Sequence, residues 1–370
     1  MSILSKESQM IPLLKPSCTQ AEIDAVTEVL KSGWWGQGPK CDEFERRIAD
    51  IHGYRFAVTV NSATAALHLA LLTMGVGPGE EVIVPALTFV STALAVTYTG
   101  AKPLFADVYP DTLTIDWNDV DRLMKTHDHA RVVIPVDYAG YPALVPFQFP
   151  SHMASPDMIQ DAAHSCGGVA YGDLVCFSFH PVKNLATGDG GCILTNNGAA
   201  YSHLKELRWC GISRSTYDRI AHHYNWDYDI HEVGYKCHWN DIQAAIGLVQ
   251  LNRMNDLLLR RTEIAHRYRE CLNDVVQLQP YSSNHTNHLF PIRVESSKRD
   301  KILDYLLDHG ISAGVHYKPL THYDMYKDQA TPRITEREWS CLISLPIFYD
   351  MTDDQVEHVI QNVKEAVNVA

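Results

Sequence analysis

The 370-residue sequence lacks the features that mark nucleic-acid-binding and membrane proteins. Its formal net charge is −13, and it contains no long run of lysine and arginine. Nucleic acids and anionic membranes attract clustered positive charge, so neither is expected as a main partner. No stretch is apolar enough to cross a bilayer, and residues 1–10 carry no apolar run typical of a secretion signal. A phosphorylated small molecule as ligand is still compatible with the negative net charge, because a pocket can be locally positive inside an acidic protein.

Disulfide patterning and internal repetition are also missing. The nine cysteines are an odd number, and no two of them form a C-x-x-C pair. Cys176 and Cys192 lie in apolar runs, where a thiol packs as a small hydrophobic group. A reduced, cytoplasmic protein is the simplest interpretation. Without repeats or low-complexity tracts, solenoid architectures are excluded.

Helix and strand signals alternate through the first two thirds of the chain. Thr19-Gln20-Ala21-Glu22 is a capping box, which predicts a helix that Gly33 ends, and a second helix is predicted around Phe44, Ile48 and Ile51. Strands are predicted from short apolar runs at 56–60, 82–84, 104–106, 132–136, 158–160, 174–179 and 192–194. Strands this apolar are usually covered on both faces. We therefore predict an α/β fold with a mainly parallel sheet covered by helices.

The pattern changes after Asp241, where Ile242 starts a long amphipathic helix. Beyond it we predict a strand at 288–294, a helix ended by Gly310, a strand running to Tyr317, and a last helix opened by Thr352-x-x-Gln355. This order is typical of a smaller α+β domain. The sequence thus predicts a large α/β domain at 1–245 and a small C-terminal domain at 246–370.

The most informative stretch is Cys176-Phe-Ser-Phe-His-Pro-Val-Lys183-Asn-Leu-Ala-Thr-Gly-Asp-Gly-Gly191. It places a lysine directly after a buried strand and before a glycine-rich turn. Burial keeps an amine deprotonated, and a neutral amine can form a Schiff base. Ser178 is well placed to donate to a phosphate. A lone lysine here would more often be a solvated surface residue, but the glycines and the serine favour a functional one.

Two further pieces of the sequence are compatible with a pyridoxal-phosphate site, although neither decides it alone. Asp161 is predicted at the carboxyl end of a strand, the edge where open α/β sheets bind ligands. A carboxylate there can keep the pyridine nitrogen of the cofactor protonated, although Asp161 could equally be a helix N-cap. The turn Asn61-Ser62-Ala63-Thr64 precedes a predicted helix, whose free amide groups form a natural phosphate site.

Together these motifs resemble the sugar-nucleotide aminotransferases of the DegT/StrS family, within the fold-type I pyridoxal-phosphate enzymes. The resemblance covers nearly the whole chain. It includes Ser32-Gly-Trp-Trp-Gly-Gln-Gly-Pro39, Val84-Pro-Ala-Leu-Thr-Phe89, the aspartate and lysine motifs, Gly234-Tyr-Lys-Cys-His-Trp-Asn-Asp-Ile-Gln-Ala-Ala-Ile-Gly247, His316-Tyr-Lys-Pro-Leu320 and Leu345-Pro346.

The resemblance implies specific roles. Lys183 would bind the cofactor covalently and shuttle the proton, Asp161 would pair with the ring nitrogen, and His164 would lie near the ring hydroxyl. The remaining cofactor contacts would be Phe89 on the ring face and Ala63, Thr64 and Ser178 at the phosphate. His316 and Tyr317 would reach the sugar, unless they only pack as a strand end in the small domain.

The resemblance also implies a homodimer with shared active sites. Lys236 or His238 of one chain would lie near the cofactor phosphate of the other, unless Lys236 is solvated and His238 packs in its own chain. Relatives often read Asn-Tyr-Arg where this chain has Lys236-Cys237-His238. A second departure lies at 141–156, where four prolines stand in place of a helix, and residues 167–173 also look trimmed. These changes predict a thinner layer on that face of the sheet.

The implied reaction is ping-pong transamination of a nucleotide-linked keto-sugar, with glutamate as the expected amino donor. A sugar dehydratase on the same scaffold would carry histidine in place of Lys183. A non-catalytic regulator would have lost Lys183 or Asp161. A cyclitol aminotransferase shares all of these motifs and stays open as an alternative.

Overall fold

A computed structural model describes residues 10–144, 156–212 and 228–370. Its N-terminal part contains helices α1 (Gln20–Ser32), α2 (Pro39–His52), α3 (Ala63–Thr73), α4 (Ser91–Tyr98), α5 (Trp117–Thr126) and α6 (Gly198–Leu207). Between them lie strands β1 (Phe56–Val60), β2 (Glu81–Pro85), β3 (Lys102–Ala106), β4 (Ala130–Val133), β5 (Asp157–Asp161), β6 (Leu174–Ser178) and β7 (Gly191–Thr195). All seven predicted strands are confirmed, with ends that differ by a few residues.

These strands form one sheet in the order β1-β7-β6-β5-β4-β2-β3. The pairs from β6 to β3 are parallel, whereas β7 runs antiparallel to both β1 and β6. The prediction of a mainly parallel sheet is therefore confirmed. Because parallel strands end at the same edge, β5 and β6 bring Asp161 and Ser178 to the same edge of the sheet.

Both faces of this sheet are covered, as the apolar strands require. Cys176 of β6 packs on the α3 side, while its neighbours Val175 and Phe177 pack on the opposite side with α2 and the next helix, α7 (Asp241–Leu272). The prediction of a thinner layer at 141–156 falls largely on residues 145–155, which lie outside the described residues. Residues 141–144 are not helical.

The C-terminal part adds β8 (Gln277–Leu278), β9 (Phe290–Arg293), α8 (Arg299–Asp308), α9 (Arg333–Trp339), β10 (Leu342–Leu345) and α10 (Asp353–Val369). Its three strands form an antiparallel sheet in the order β10-β9-β8. Ile11, near the start of the described chain, packs into this core. The proposed division at residue 245 falls inside the first turns of α7.

The predicted strand running to Tyr317 is wrong. Ile311 forms a single bridge to Ile11, and Gly314 forms a single bridge to Ser344 of β10. The segment changes partner within three residues, so no continuous ladder forms. The third strand of the small sheet is β10 instead.

The predicted helix ends are confirmed where the sequence carries caps. Thr19 and Thr352 each form a capping box, and Gly33 is left-handed at the end of α1. The apolar stripe of α1 is only partly used, because Ile23 and Leu30 are exposed. No helix in the described ranges is long and apolar enough to cross a membrane.

Candidate active site

A cavity of about 340 Å³ opens at the carboxyl edge of the large sheet. Nine of the eleven predicted site residues line it: Ala63, Thr64, Phe89, Asp161, His164, Ser178, Lys183, His316 and Tyr317. Lys236 and His238 are not part of its lining. The fold thus brings together the residues predicted for one chain and leaves out the two expected to serve a partner.

Lys183 lies in the turn between β6 and β7, as predicted. Its amide donates to the carbonyl of His180 at 2.9 Å, which holds the turn. The side chain reaches the cavity but is otherwise surrounded by protein. This burial lowers the pKa of Lys183 to about 8, partly opposed by the negative charge of Asp161 and assisted by Arg261. A substantial fraction of the amine is therefore neutral near pH 8, as a nucleophile requires.

Asp161 ends β5 with its carboxylate buried in the cavity wall. Thr92 Oγ1 donates to one carboxylate oxygen at 2.9 Å, and the Ala163 amide donates to the other at 3.2 Å. Burial raises the pKa of Asp161, and these two donors and Lys183 act against that rise. Residues 162–168 form turns and bends, so Asp161 caps no helix. The carboxylate is free to face a cationic ligand group.

His164 is held in one tautomer. The Ala139 amide donates to Nδ1 at 3.2 Å, which leaves the proton of the neutral ring on Nε2. Nε2 lies 3.1 Å from the Tyr317 hydroxyl. Burial, together with the positive charge of Lys183, holds the pKa of His164 well below its usual range. The ring is therefore neutral and presents an N–H group at the cavity.

One end of the cavity is formed by the N-terminus of α3. Ser62 caps this helix by accepting from the Ala65 amide at 3.1 Å. Among the described residues, the amides of Ala63 and Thr64 donate no hydrogen bond. Such free amides at a helix start favour an anion.

Close packing brings Ser178 to the same place. Ser178 pairs with Gly191 across β6 and β7, and Gly190 forms a bridge to Ser62. A Cβ at Gly191 would lie 2.7 Å from the carbonyl of Ser62. Only glycine allows this approach, so the glycine-rich turn sets the distance between Ser178 and α3.

Aromatic and polar side chains also line the cavity. Phe89 is 54% exposed, so it is not a core residue, and its ring centroid lies 5.8 Å from that of Tyr317. His316 Nδ1 lies 2.9 Å from Ser344 Oγ. Burial, together with Lys183, lowers the pKa of His316 to about 4. His316 and Tyr317 both lie in the irregular segment after Gly314 and not at the end of a strand.

Sequence reasoning missed Thr92, which holds Asp161, and Ser91, whose Oγ accepts from Thr64 Oγ1 at 2.8 Å. Both follow Phe89 in the first turn of α4. The sequence signal that could have identified them is a run rich in hydroxyl residues, which follows a predicted strand at the edge of the sheet where ligands bind.

Lys236 and His238 pack around Trp209, outside the cavity. The Lys236 ammonium lies 3.3 Å from the centroid of the Trp209 ring, and the His238 ring centroid lies 4.2 Å from it. Burial, assisted by Lys236 and Arg208, lowers the pKa of His238 to about 4. Within one chain, the His238 ring is therefore neutral at neutral pH.

Comparison with known proteins decides the family. Residues 16–364 match the model of the DegT/DnrJ/EryC1/StrS aminotransferase family. This chain belongs to that family. It is a pyridoxal-phosphate-dependent aminotransferase of fold-type I.

Individual relatives of this aminotransferase are similar to it over nearly its whole length. The spore coat polysaccharide biosynthesis protein SpsC of Bacillus subtilis is 34% identical over 390 aligned residues, covering 100% of both chains. The structure of Spr1654 from Streptococcus pneumoniae in its PLP-form is 31% identical, with a TM-score of 0.87, covering 97% of this chain and 99% of its own. The sugar aminotransferase CalS13 from Micromonospora echinospora is 28% identical, with a TM-score of 0.83, covering 96% and 100%.

Proposed function

We propose that this aminotransferase transfers an amino group from an amino acid, with glutamate as the expected donor, to a keto-sugar attached to a nucleotide. The observation that carries the proposal is the presence of Lys183 and Asp161 in one cavity, which Phe89, His316 and Tyr317 also line. The relatives named for sugar chemistry and polysaccharide biosynthesis support the sugar as acceptor. The nucleotide and the donor come from the resemblance to the family.

The residues of the cavity fit the cofactor at both of its ends. Pyridoxal phosphate, when bound, supplies an electron sink that makes the Cα–H bond of an amino acid labile. The free amides of Ala63 and Thr64 and the Ser178 hydroxyl would hold its phosphate. Asp161, kept in place by Thr92, would hold the ring nitrogen in its protonated form. His164 would lie near the ring hydroxyl, as the resemblance implies.

Lys183 would carry out the remaining chemistry. Its neutral amine would attach the cofactor and, once released, would take the proton from the Cα of the amino donor and, in the second half-reaction, deliver a proton to the aminated carbon of the acceptor. A pKa of about 8 suits both directions, because the group can gain and lose a proton near neutral pH. Phe89 would pack against the ring face and keep water from it.

The acceptor would enter past His316 and Tyr317. The Tyr317 hydroxyl, which accepts from His164, retains its own proton for donation to a sugar oxygen. His316 is fixed through Nδ1 by Ser344, which leaves its second nitrogen for the substrate. The pair would thus bind the acceptor without taking part in proton transfer at the amine.

The active unit would be a homodimer with shared sites. The cavity lining contains no arginine and no lysine other than Lys183 among the described residues. A phosphate dianion there would gain from a further cation, and Lys236 of the partner would supply one. All nine cysteines are free, which fits the reducing cytoplasm where we place the reaction.

The substrate is tested with a panel of keto-sugar nucleotides, free keto-sugars and keto-cyclitols. Each is incubated with glutamate and cofactor-loaded enzyme and analysed by mass spectrometry. We expect a product in which a ketone oxygen is replaced by an amine, formed with the nucleotide-linked substrates only. Amination of a cyclitol with none of the nucleotide sugars would overturn the proposal. Loss of oxygen without gain of nitrogen would identify a dehydratase instead.

A further inference from the structure

A short segment of the C-terminal part, residues 286–289, packs against His164 and against the neighbouring residues Ala139 and Gly140. The Thr286 amide donates to the Gly140 carbonyl at 3.0 Å, and the Leu289 amide donates to the Ala139 carbonyl at 3.1 Å. Ala139 has a φ of 60°, a left-handed conformation that is costly for a residue with a Cβ. These two hydrogen bonds hold the strained residue whose amide donates to His164.

The same segment contacts His164 itself. Thr286 Oγ1 donates to the His164 carbonyl at 2.8 Å, and the ring centroid of His288 lies 4.4 Å from that of His164. The approach is close, since a Cβ at Gly140 would lie 2.2 Å from Thr286 Oγ1. Residues 286–289 thus contact the carbonyl and the ring of His164, and they also bind Ala139 and Gly140, the segment whose amide donates to the His164 ring.

His288 is in turn anchored to α7. Its carbonyl accepts from Arg261 Nη1 at 3.2 Å, and the same guanidinium nitrogen donates to the Ile347 carbonyl at 2.9 Å. His288 is buried, and its Nδ1 has no hydrogen-bond partner among the described residues. Burial, together with His164 and Lys183, keeps the pKa of His288 well below its usual range. Two neutral rings can pack in this tilted contact, with an interplanar angle of 44°, where two charged rings would repel.

We propose that Thr286 and His288 are positioning residues of the active site, which fix His164 as the tautomer that carries its proton on Nε2. They act through His164, and they touch neither substrate nor cofactor. The proposal rests on the placement of His164 at the cofactor ring made above. It assigns the C-terminal part a second task beyond binding the sugar, namely the support of a group in the large domain.

The test uses the cofactor alone, so it does not depend on the sugar substrate. Thr286→Val removes the hydroxyl and keeps the shape, Thr286→Ser restores the hydroxyl, and His288→Ala removes the ring. Thr335→Val is the matched control, since Thr335 is a buried hydroxyl of the C-terminal part that binds Asp107 outside the cavity. For each dimer we measure the dissociation constant of pyridoxal phosphate, the pH midpoint of its absorbance change, and the thermal unfolding temperature.

We expect Thr286→Val and His288→Ala to weaken cofactor binding by about tenfold and to shift the absorbance midpoint, as the loss of one buried contact predicts. Thr286→Ser should recover most of both properties, and Thr335→Val should lower only the unfolding temperature. An absorbance midpoint in folded Thr286→Val and His288→Ala proteins equal to that of the native enzyme would overturn the proposal.

His164→Asn separates this inference from the function on which it rests. If His164→Asn shifts the midpoint and the two supporting variants do not, His164 contacts the cofactor but is not positioned by residues 286–289. If His164→Asn itself leaves the midpoint unchanged, the placement of His164 at the ring is wrong, and the inference is wrong with it.

Discussion

The cavity around Lys183 and the cluster around Trp209 contain residues predicted from the same resemblance, yet only the first forms a site within one chain. Lys183, Asp161 and Ser178 are brought together by neighbouring strands β5, β6 and β7. Lys236 and His238 instead contact Trp209, outside the cavity. The predicted position of a residue that adjacent strands place in the site can therefore be checked in a single chain. The predicted position of a residue expected to serve a partner chain cannot be checked in this way.

The largest effect is expected inside the cavity. Lys183→Ala should reduce transamination by at least on the order of 10³-fold, because it removes both the attachment point and the proton carrier. The protein should still bind the cofactor weakly through Asp161 and α3. Turnover is measured with glutamate and the best acceptor of the panel. Activity within tenfold of the native enzyme would contradict the role of Lys183.

Asp161→Ala should lower turnover on the order of 10²-fold, because the protonated ring nitrogen loses its counter-charge. Asp157→Ala is the matched control in the same strand, since Asp157 is exposed and pairs with Arg131 at the surface. The control should change turnover by less than about twofold. Equal rates for the two variants would mean that Asp161 has no special contact with the ring.

The pH dependence of cofactor attachment distinguishes the buried lysine from an ordinary one. Burial lowers the pKa of Lys183 from 10.5 to about 8, so its reactive neutral form grows with pH and saturates above that value. The rate of cofactor incorporation into apo-protein should rise about tenfold per pH unit below pH 8 and then level off. A rate that continues to rise to pH 10 would show that the amine is not desolvated.

The smallest effect is expected at the Trp209 cluster. The Lys236→Ala, His238→Ala double variant should weaken cofactor binding by about tenfold, which corresponds to the loss of one charge-assisted contact. Mixing it with the Lys183→Ala protein and allowing subunit exchange should restore part of the lost activity. One site of each mixed dimer would then have all native groups.

Two results would contradict the proposed role of Lys236 and His238 in a shared site. A fully active double variant would remove Lys236 and His238 from the site. An enzyme that works as a monomer at assay concentration would exclude shared sites altogether.

Much of the fold follows from local sequence signals. The apolar runs predicted all seven strands of the large sheet, and the capping threonines Thr19 and Thr352 marked two helix starts. The segment after Gly310 was mispredicted, because its apolar residues pair with two different partners, Ile11 and Ser344. Such long-range pairing leaves no periodic trace in the sequence.

The site shows the same limit. Lys183, Asp161 and the helix start at Ala63 stand next to strands, so their position at the sheet edge could be predicted. The support of His164 by Thr286 and His288 joins residues more than 120 positions apart, and no local pattern indicates it. Thr92 is an intermediate case. The hydroxyl-rich turn that contains it could be recognised in the sequence, but its hydrogen bond to Asp161 could not.

The central claim is that Lys183 carries the cofactor, and borohydride reduction tests it most directly. The cofactor-loaded protein is reduced, digested and mapped by mass spectrometry, with the Lys183→Ala protein treated in parallel. The account predicts the reduced pyridoxyl group on Lys183 and on no other lysine, and an unlabelled variant. A label on a different lysine, or the absence of any label in protein that holds the cofactor, would contradict it.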